Sequence, residues 1–541
     1  MLPSDCMRFF IAIVILLVLA GPAGAVTVTI DGSKTNQTID GFGVNANGLS
    51  WTNNELKPVL DALIDQAGMT VFLPEYGNCN WETTNCNSAP YVLNWTYYNS
   101  IYSGPDFQKL WGMMAYLNLR GISNGLIPKL AGPGPLWMGG LTLNSGHELD
   151  YAEMVGSFYI YACQTQHLQL AAAYAANEPD NSGTGVEMSG PAQYVTTMHD
   201  LAKLFDTNGM TNVDISGPNT AYITTSWMTA MMGDAYLMTK VQHFDLHSYV
   251  GVSDNSTGVQ NFIQQSAYPN RHFWMTEFNV WCTSCNNGVS GNGSWTNAQA
   301  IASDLLNHLT NGASGGMVYE AYDSQIPGYN SSTGKSTPST WSDWGIFAVD
   351  NINATPRTYT ARKQFYTLAQ ITKFVRPGAQ RINVSGSTST LTLLAFYQAA
   401  TGQLTLPGVN TAGSSTVLSG TLSSLPVVSS LELYYTDSTT NLCDKGAVSV
   451  TNHSFTVTVP ANCVFTLVGS VVPPYFLAPV ALSNNFSFTL MGQTGQVCSI
   501  EASTNLLNWI AVTNLTLTNG TTKVNQPMSG VGQFFRANVL Q

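Results

Sequence analysis

Two apolar runs in this chain each stop at a glutamate. The run from Ala171 to Ala176 is closed by an Asn-Glu-Pro tripeptide centred on Glu178, and the run from His272 to Thr276 is closed by Glu277. A short apolar run that ends in a turn signal is typical of a buried strand. Since Pro179 disfavours the helical region for the residue before it, we expect Glu178 to be extended at the lip of its strand.

Strand-like and helix-like segments alternate from residue 40 to residue 372. Such alternation indicates a parallel sheet with crossover helices, and eight units over this length predict a (β/α)8 TIM barrel. An open doubly wound sheet is the alternative, but no Gly-x-Gly-x-x-Gly phosphate loop follows Gly41 and Gly43. The predicted strands are one at Gly41 and those at 70–73, 125–129, 169–176, 213–216, 241–246, 272–276 and 316–319. The predicted helices include 54–67, 151–166, 191–208 and 297–311.

The sequence pattern changes after residue 373, where helical periodicity is replaced by short alternating runs rich in Thr, Ser and Val. We predict an antiparallel β-sandwich over 373–470, with the strands of residues 26–39 packing on it. Residues 471–541 then form a linker and a small C-terminal all-β module.

The N-terminus has the pattern of a secretory signal. Arg8 precedes an apolar run over 9–20, and small residues follow up to Ala25. We predict a signal peptide over 1–25 and a secreted, periplasmic or cell-surface protein. A membrane anchor is the alternative, but the run is short for a bilayer span, and no later segment of the sequence is long and apolar enough to span one.

The charge of the chain limits its partners. Only 9% of the 541 residues are charged, and the formal net charge is −12 with 19 Lys and Arg. A chain with so few cations offers no basic patch to phosphates, so we expect no nucleic-acid partner. A surface that is polar through neutral side chains suits hydroxyl-rich ligands. We expect a monomer.

The nine cysteines fit an exported protein, in which disulfides are stable. Once Cys6 leaves with the signal peptide, three close pairs stand out. The Cys-x-x-Cys at Cys282 and Cys285 has no second Cys-x-x-Cys beside it, so we interpret it as a loop staple and not as a redox or zinc motif. The other close pairs are Cys79 with Cys86 and Cys443 with Cys463.

The two glutamates lie on strand ends three βα units apart. In a barrel the carboxyl ends of the strands share one face, which carries the active site. A single glutamate at a strand end is more often a solvated or capping carboxylate. Two of them, each following an apolar strand, favour acid, base or nucleophilic chemistry on a glycosidic bond.

The two motifs, Asn177-Glu178-Pro179 and Trp274-Met275-Thr276-Glu277-Phe278, resemble the paired signature of the clan A retaining glycoside hydrolases. Within that clan the chain is most similar to glycoside hydrolase family 30 and its relatives, over residues 27–468. The supporting stretches are Ile39-Asp40-Gly41-Phe42-Gly43, Gly132-Pro133-Gly134-Pro135-Leu136-Trp137-Met138 and the segment from Phe374 to Ile382.

The resemblance implies a role for each residue of the site. Glu178 would be the general acid/base and Glu277 the nucleophile, while Asn177 would bond the sugar 2-hydroxyl. His247 matches the first position of a His-x-Tyr motif, and Tyr249 would bond the nucleophile. The acid should be protonated near neutral pH, which an adjacent carboxylate and a dry pocket promote, and the nucleophile should stay ionised.

One departure from the family stands out. Members of the clan usually carry an Arg at the end of the second strand that holds the nucleophile, and residues 70–76 contain none. Glu320, after the eighth strand, is an extra carboxylate that would bind sugar hydroxyls or serve the structure. Trp137, Trp281 and Tyr322 are candidate stacking surfaces for sugar rings. The sequence has no acidic calcium loop, and we expect no metal or other cofactor.

These features together predict a secreted retaining β-glycoside hydrolase that acts on a β-linked polysaccharide or oligosaccharide. Two alternatives stay open. One is a transglycosylase that uses the same residues, and the other is a carbohydrate-binding protein that has kept the fold without catalysis.

Overall fold

A computed structural model of the chain describes residues 25–52, 55–253, 255–287, 293–330, 335–471, 474–482, 485–493, 495–527 and 533–540. The predicted signal peptide lies outside the described residues except for its last residue, and so does part of the predicted linker. None of the helices within the described ranges is long and apolar enough to cross a membrane.

The strands and helices follow one another in the order expected for a barrel followed by all-β regions. The strands are β1 (Val26–Thr38), β2 (Gly41–Asn47), β3 (Val71–Tyr76), β4 (Lys129–Leu130), β5 (Ala172–Ala173), β6 (Asp214–Ile215), β7 (Gly217–Thr220), β8 (His243–Val250), β9 (His272–Val280), β10 (Gly315–Val318), β11 (Gln325–Asn330), β12 (Lys335–Trp341), β13 (Phe347–Val349), β14 (Tyr359–Ala361), β15 (Gln380–Ser385), β16 (Leu391–Leu393), β17 (Ala395–Gln398), β18 (Gln403–Asn410), β19 (Thr416–Ser423), β20 (Ser430–Thr436), β21 (Cys443–Ser449), β22 (Ser454–Val459), β23 (Cys463–Ser470), β24 (Tyr475–Leu482), β25 (Asn485–Met491), β26 (Val497–Ser503), β27 (Ile510–Thr516), β28 (Thr521–Pro527) and β29 (Phe534–Val539). The α-helices are α1 (Lys57–Asp61), α2 (Trp95–Tyr102), α3 (Pro105–Leu119), α4 (Glu148–Gln164), α5 (Pro191–Thr207), α6 (Thr225–Met232), α7 (Val259–Gln264), α8 (Trp295–Thr310) and α9 (Lys363–Thr372).

Strands β2 to β10 form a parallel barrel. Parallel pairing runs from β4 through β3, β2, β10, β9 and β8 to β7. A bridge between Lys129 and Tyr174 continues the sheet from β4 towards β5, which pairs with β6. Only Ser216 separates β6 from β7, so the ring closes with eight strand positions. The predicted (β/α)8 fold is confirmed.

The predicted elements differ from the observed ones mainly in length. The fourth strand, predicted over 169–176, shortens to β5 and the single bridge at Tyr174, and the third shortens to β4. The strands predicted over 241–246 and 272–276 extend further, as β8 and β9. The predicted helix 54–67 is α1 followed by a π-helical turn at Ala62–Gln66. These differences reflect sheet pairing, which depends on partners far away in the sequence.

Small residues allow the barrel strands to approach one another closely. A side chain at Gly43 would collide with the carbonyl of Val71, and one at Gly125 with that of Thr70. Apolar and aromatic side chains form a compact core inside the barrel. Its buried members are Val71, Leu73, Ile127, Ala172, Tyr174, Trp274 and Met317.

The second region is an all-β structure that includes the start of the chain. Its sheet has the strand order β21-β20-β23-β18-β17-β15-β1-β19-β22, with β16 beside β18. Strand β1 pairs antiparallel with β15 and parallel with β19. Apolar side chains from both halves of the sheet, such as Val28 and Leu418 with Leu433 and Phe465, share one buried cluster.

The last six strands form a separate small module. One three-stranded sheet has the order β24-β25-β28 and the other has the order β27-β26-β29. Phe488, Leu490, Ile500 and Leu517 are buried between them.

One disulfide joins Cys282 to Cys285, directly after β9. The loop staple predicted there is therefore present. The other two close pairs are not bonded: Cys79, Cys86, Cys443 and Cys463 are free thiols. Proximity in sequence does not bring these thiols together, because Cys443 pairs with Tyr435 across β20, whereas Cys463 pairs with Asn410 across β18.

Candidate active site

The two sequence-predicted glutamates meet at the carboxyl ends of the barrel strands. Glu178 follows β5, whereas Glu277 lies inside β9. Both side chains are largely buried. One carboxylate oxygen of each, together with a ring nitrogen of His247, lies within 4.8 Å of the others.

The backbone of Glu178 is not extended, so that expectation is wrong. Its φ is +43°, in the left-handed region, which non-glycine residues rarely adopt. The chain turns sharply here: the Glu178 N–H donates to the Asn219 carbonyl at 3.0 Å, and the Asn181 N–H donates back to the Glu178 carbonyl at 2.9 Å. Pro179 disfavours the right-handed helical region for Glu178. The left-handed conformation avoids that region and allows the sharp turn. Such strain at a pocket is typical of functional residues.

Glu178 is ionised in the free protein. Its Oε1 lies 2.9 Å from Nδ1 of His247, and Nδ2 of Asn181 donates to its Oε2 at 2.9 Å. Burial raises the pKa of Glu178, but the hydrogen bond and charge of His247 outweigh it, with help from Thr184 and Asn181, and the pKa falls to about 2. The expectation of a protonated acid near neutral pH is therefore wrong for the free protein, since it omitted a cation next to the carboxylate.

Both ring nitrogens of His247 have hydrogen-bond partners. Nδ2 of Asn177 donates to the Thr184 carbonyl, which leaves Oδ1 to accept from the Tyr174 hydroxyl at 2.9 Å. The Tyr174 oxygen then accepts from Nε2 of His247 at 2.6 Å. Because Nδ1 faces the carboxylate of Glu178, each ring nitrogen has an oxygen atom as its partner.

Glu277 receives a separate donor on each oxygen. The Tyr249 hydroxyl donates to Oε1, as the resemblance implied. The Lys129 ammonium lies 2.5 Å from Oε2, and Nδ1 of His247 lies 3.8 Å from the same atom. These donors stabilise the charged form of the carboxylate and fix its orientation.

Lys129 provides the cationic contact to Glu277 that was expected from an Arg on the second strand. It comes from β4, the third barrel strand, and its ammonium also lies 3.0 Å from Oε2 of Glu75 on β3. Burial alone would lower the pKa of Lys129, but the charges of Glu277 and Glu75 raise it above its ordinary value. Sequence reasoning missed both residues. The available signal was a lysine and a glutamate, each ending an apolar strand in a chain with few charges.

Asn177 is positioned beside the pair but is already engaged. Its amide bonds Tyr174 and Thr184, and its side chain is almost fully buried. Its predicted contact with a sugar 2-hydroxyl stays a prediction.

The candidate sugar-stacking residues differ in their exposure. Trp281 is 46% exposed, and its ring packs edge-on against Tyr249 with the centroids 5.5 Å apart. Trp137 is half-buried, and its Nε1 donates to the Glu82 carbonyl at 2.7 Å. The ring of Tyr322 is fully buried, with its hydroxyl bonded to the Asn47 carbonyl, so it cannot stack on a sugar as placed.

Glu320 is also inaccessible to a sugar as placed. Its carboxyl is buried and accepts hydrogen bonds from the hydroxyls of Ser324 and Ser342. Burial raises the pKa of Glu320 to about 8, with the nearby charge of Glu75 adding to the shift. The structural alternative for this residue agrees with the geometry, and the sequence could not show it because the serines lie on a later segment.

Glu178, His247 and Glu277 also form a set of donor atoms close enough to hold a metal ion. These atoms already contact one another and a cation. The Lys129 ammonium contacts Glu277, and Nδ1 of His247 contacts Glu178. The donor atoms are organised by these ion pairs, which oppose a further positive charge.

A cavity of about 720 Å³ lies away from the glutamate pair, at the amino-terminal ends of the strands. Asp40, His272 and Trp274 line it, and the two ring nitrogens each lie 2.7 Å from Oδ2 of Asp40. The glutamate pair does not border this cavity, so we place the candidate active site at the carboxyl-end face.

Comparisons with known proteins agree with this geometry. A family model described as glycosyl hydrolase catalytic core matches residues 153–313, a range that includes Glu178 and Glu277. A search of curated protein sequences finds no match.

Solved structures of similar fold include a family 30 endoxylanase from Clostridium papyrosolvens. It is 18% identical with a TM-score of 0.60, and the match covers 82% of this chain and 100% of that one. A family 30 subfamily 8 xylanase from Clostridium acetobutylicum is 16% identical with a TM-score of 0.62, covering 82% and 99%. An endo-β1,6-glucanase is 17% identical with a TM-score of 0.56, covering 83% and 96%. Residues 153–313 therefore match the model of a glycosyl hydrolase catalytic core, and the chain shares the fold of family 30 and other clan A glycoside hydrolases, which confirms the predicted resemblance.

Proposed function

We propose that the protein is a retaining β-glycoside hydrolase that works by double displacement. The observation that carries this proposal is the close approach of the Glu178 and Glu277 carboxylates, since one oxygen of Glu178 lies within 4.8 Å of one oxygen of Glu277. Retaining enzymes hold their carboxyl groups about 5–5.5 Å apart, whereas inverting enzymes leave room for a water molecule at roughly 6.5–9.5 Å.

Glu277 is the nucleophile in this proposal. Its Oε1 and Oε2 are held by Tyr249 and Lys129, so the carboxylate is charged and aimed. One of its oxygens attacks the anomeric carbon while the bond from that carbon to the leaving oxygen breaks. The product of this step is a neutral glycosyl ester of Glu277.

Glu178 is the acid/base, and His247 supplies its proton. The nearest nitrogen that can hold this proton is Nδ1 of His247, 2.9 Å from Oε1 of Glu178. A bound sugar excludes water from the pair, and a drier site favours the neutral pair over the charged one. The proton then passes to Glu178 and on to the leaving oxygen. In the second step Glu178 takes a proton from the water that attacks the ester.

The substrate we propose is a β-linked, uncharged polysaccharide or an oligosaccharide derived from it. Scarce Lys and Arg in the chain weigh against a strongly anionic polymer. Proteins of similar fold include an endoxylanase and an endo-β1,6-glucanase, so xylan and β1,6-glucan come first in a screen.

The test measures both turnover and stereochemistry. The wild type is screened on xylan and β1,6-glucan, and proton NMR follows the anomer released first. We expect the β-anomer. Glu178→Gln should lower turnover by about 10²–10⁴-fold, and Glu277→Gln should abolish it. Release of the α-anomer would contradict retention, and unchanged turnover in both variants would contradict the roles of Glu178 and Glu277. Binding of a polymer without turnover by the wild type would favour the carbohydrate-binding protein. Transfer to an added sugar acceptor in preference to water would favour the transglycosylase.

We also propose that the chain is exported by a signal peptide over residues 1–25, because a basic start, an apolar run and small residues follow one another there. N-terminal sequencing of the protein recovered outside the cytoplasm should begin at Val26. An uncleaved N-terminus in a membrane fraction would favour the anchor.

A further inference from the structure

Lys129 lies between two carboxylates, and only one of them belongs to the proposed nucleophile. The ammonium is 2.5 Å from Oε2 of Glu277 and 3.0 Å from Oε2 of Glu75. The side chain of Lys129 is 2% exposed and that of Glu75 is 16% exposed. Water therefore reaches the cation poorly, and its charge is balanced by protein groups.

The surroundings of Lys129 offer it little else that is charged. Oδ1 of Asn45 lies 3.4 Å from the ammonium, and the rings of Tyr174 and Tyr319 lie with their centroids at 5.7 and 5.2 Å. An amide oxygen and two ring faces stabilise a cation, but each does so more weakly than a carboxylate at contact.

The proposed reaction removes one of the two negative charges. When a Glu277 oxygen bonds to the anomeric carbon, the carboxylate becomes a neutral ester, and the leaving oxygen departs with the proton of Glu178. A buried cation left without a partner is costly. During the lifetime of the ester, Glu75 is the carboxylate that still contacts Lys129.

We propose that Glu75 is a positioning residue, a fixed counter-ion that keeps Lys129 charged and in place while Glu277 is esterified. This inference rests on the proposed function. It also accounts for the departure of this chain from its family: a lysine on the third strand and a glutamate on the second take the place of a single arginine on the second.

The loss of Glu75 should affect the two chemical steps unequally. In Glu75→Gln the Lys129 ammonium contacts Glu277 alone. This ion pair stabilises the free enzyme, whereas formation of the ester leaves the Lys129 ammonium without a counter-ion. Formation of the ester should slow by roughly tenfold or more. Hydrolysis of the ester restores the Glu277 carboxylate beside Lys129, so this step should keep its rate or become faster.

Fluorosugar trapping measures each step separately. Dinitrophenyl 2-deoxy-2-fluoro-β-xylobioside and its β-gentiobiose counterpart form a slowly hydrolysed ester, since the fluorine destabilises both transition states. The rate of inactivation reports ester formation, and recovery of activity after removal of the excess reagent reports ester hydrolysis. Intact-protein mass spectrometry confirms the adduct. Glu432→Gln on β20 in the all-β region is the matched control and should change neither rate.

A second pair of variants separates this role from a structural one. In a Lys129→Met background no cation needs balance, so adding Glu75→Gln should leave the ratio of the two rates unchanged. Equal slowing of both steps by Glu75→Gln, or the same effect of Glu75→Gln with and without Lys129, would overturn the inference while the adduct upheld the proposed function. If neither reagent labels the wild type at Glu277, the proposed function fails and the inference fails with it.

Discussion

At the scale of single residues, the barrel mouth is a chain of ion pairs. Glu75, Lys129 and Glu277 follow one another at contact distance, and His247 joins Glu277 to Glu178. Lys129 and His247 each lie between two carboxylates. The charge of one carboxylate therefore depends on the charge of its neighbours. A proton or a covalent bond at one end of this series of contacts changes the charge balance along all of it.

Glu320 lies outside this chain of contacts and gives a prediction about stability. Its folded pKa of about 8 is above the ordinary value of 4.5, so between these pH values the folded protein holds a proton that the unfolded chain has released. The free energy of unfolding should then fall as pH rises from about 5 to 8, by up to roughly 1.4 kcal/mol per pH unit, and level off above 8.

Glu320→Gln removes this titration, because the amide is neutral at every pH. The difference in unfolding free energy between the variant and the wild type should move in favour of the variant as pH rises through that window. Urea unfolding at pH 5, 6, 7 and 8 measures it. Parallel curves for the two proteins would contradict a raised pKa at Glu320.

At the scale of elements, the loop after β9 carries an exposed aromatic residue beside the site. Trp281 packs against Tyr249 and Trp344, with centroids 5.5 and 5.8 Å away. The Cys282–Cys285 disulfide follows at once and shares the buried cluster of Tyr249 and Trp344. The staple fixes the loop that presents the indole, while Tyr249 connects the same cluster to Glu277.

This arrangement predicts that Trp281 contributes to substrate binding more than to chemistry. Trp281→Ala should raise KM by about five- to tenfold, or roughly 1 kcal/mol of lost stacking, with kcat little changed. Cys282→Ser with Cys285→Ser should raise KM in the same direction but by less. Steady-state kinetics on the polymer identified in the screen provides the measurement, and Trp137→Ala is the comparison at a half-buried indole. A fall in kcat with KM unchanged would contradict a stacking role.

The sequence predicted the elements better than the contacts between them. Helical periodicity and apolar runs gave the alternation of the barrel, because these patterns are local. The positions of Glu178 and Glu277 after apolar strands predicted that they would meet, since parallel strands end on one face. The left-handed turn at Glu178 depends on the Asn219 carbonyl, and the Lys129–Glu75 pair joins two strands. The local sequence contains these residues but does not show that they contact each other.

At the scale of the whole molecule, the barrel and the first all-β region share a core. Leu394, Phe396, Val409 and Val464 belong to strands or loops of the all-β region, yet they lie in the same buried cluster as the barrel helices. Gln370 of α9 donates to the Thr436 hydroxyl at 3.0 Å, and the carbonyl of Gln370 accepts from Thr466. Removing this region would expose apolar surface and orphan buried polar groups, so the two parts form one cooperative unit.

The C-terminal module has a different relation to the rest. Its buried cluster is its own, and its contact with the neighbouring region includes Val539 against that core and Gly495 near Val427. We therefore predict that a chain ending at Val471 folds and keeps its kcat/KM on soluble oligosaccharides within about twofold, because every residue of the candidate site precedes that point.

A chain ending at Thr372 should be insoluble or inactive, since it loses the shared core. Thermal unfolding and turnover of the two truncated proteins test both statements. A large loss of activity at Val471 would mean that the module supports the barrel, and a folded, active chain ending at Thr372 would contradict the shared core.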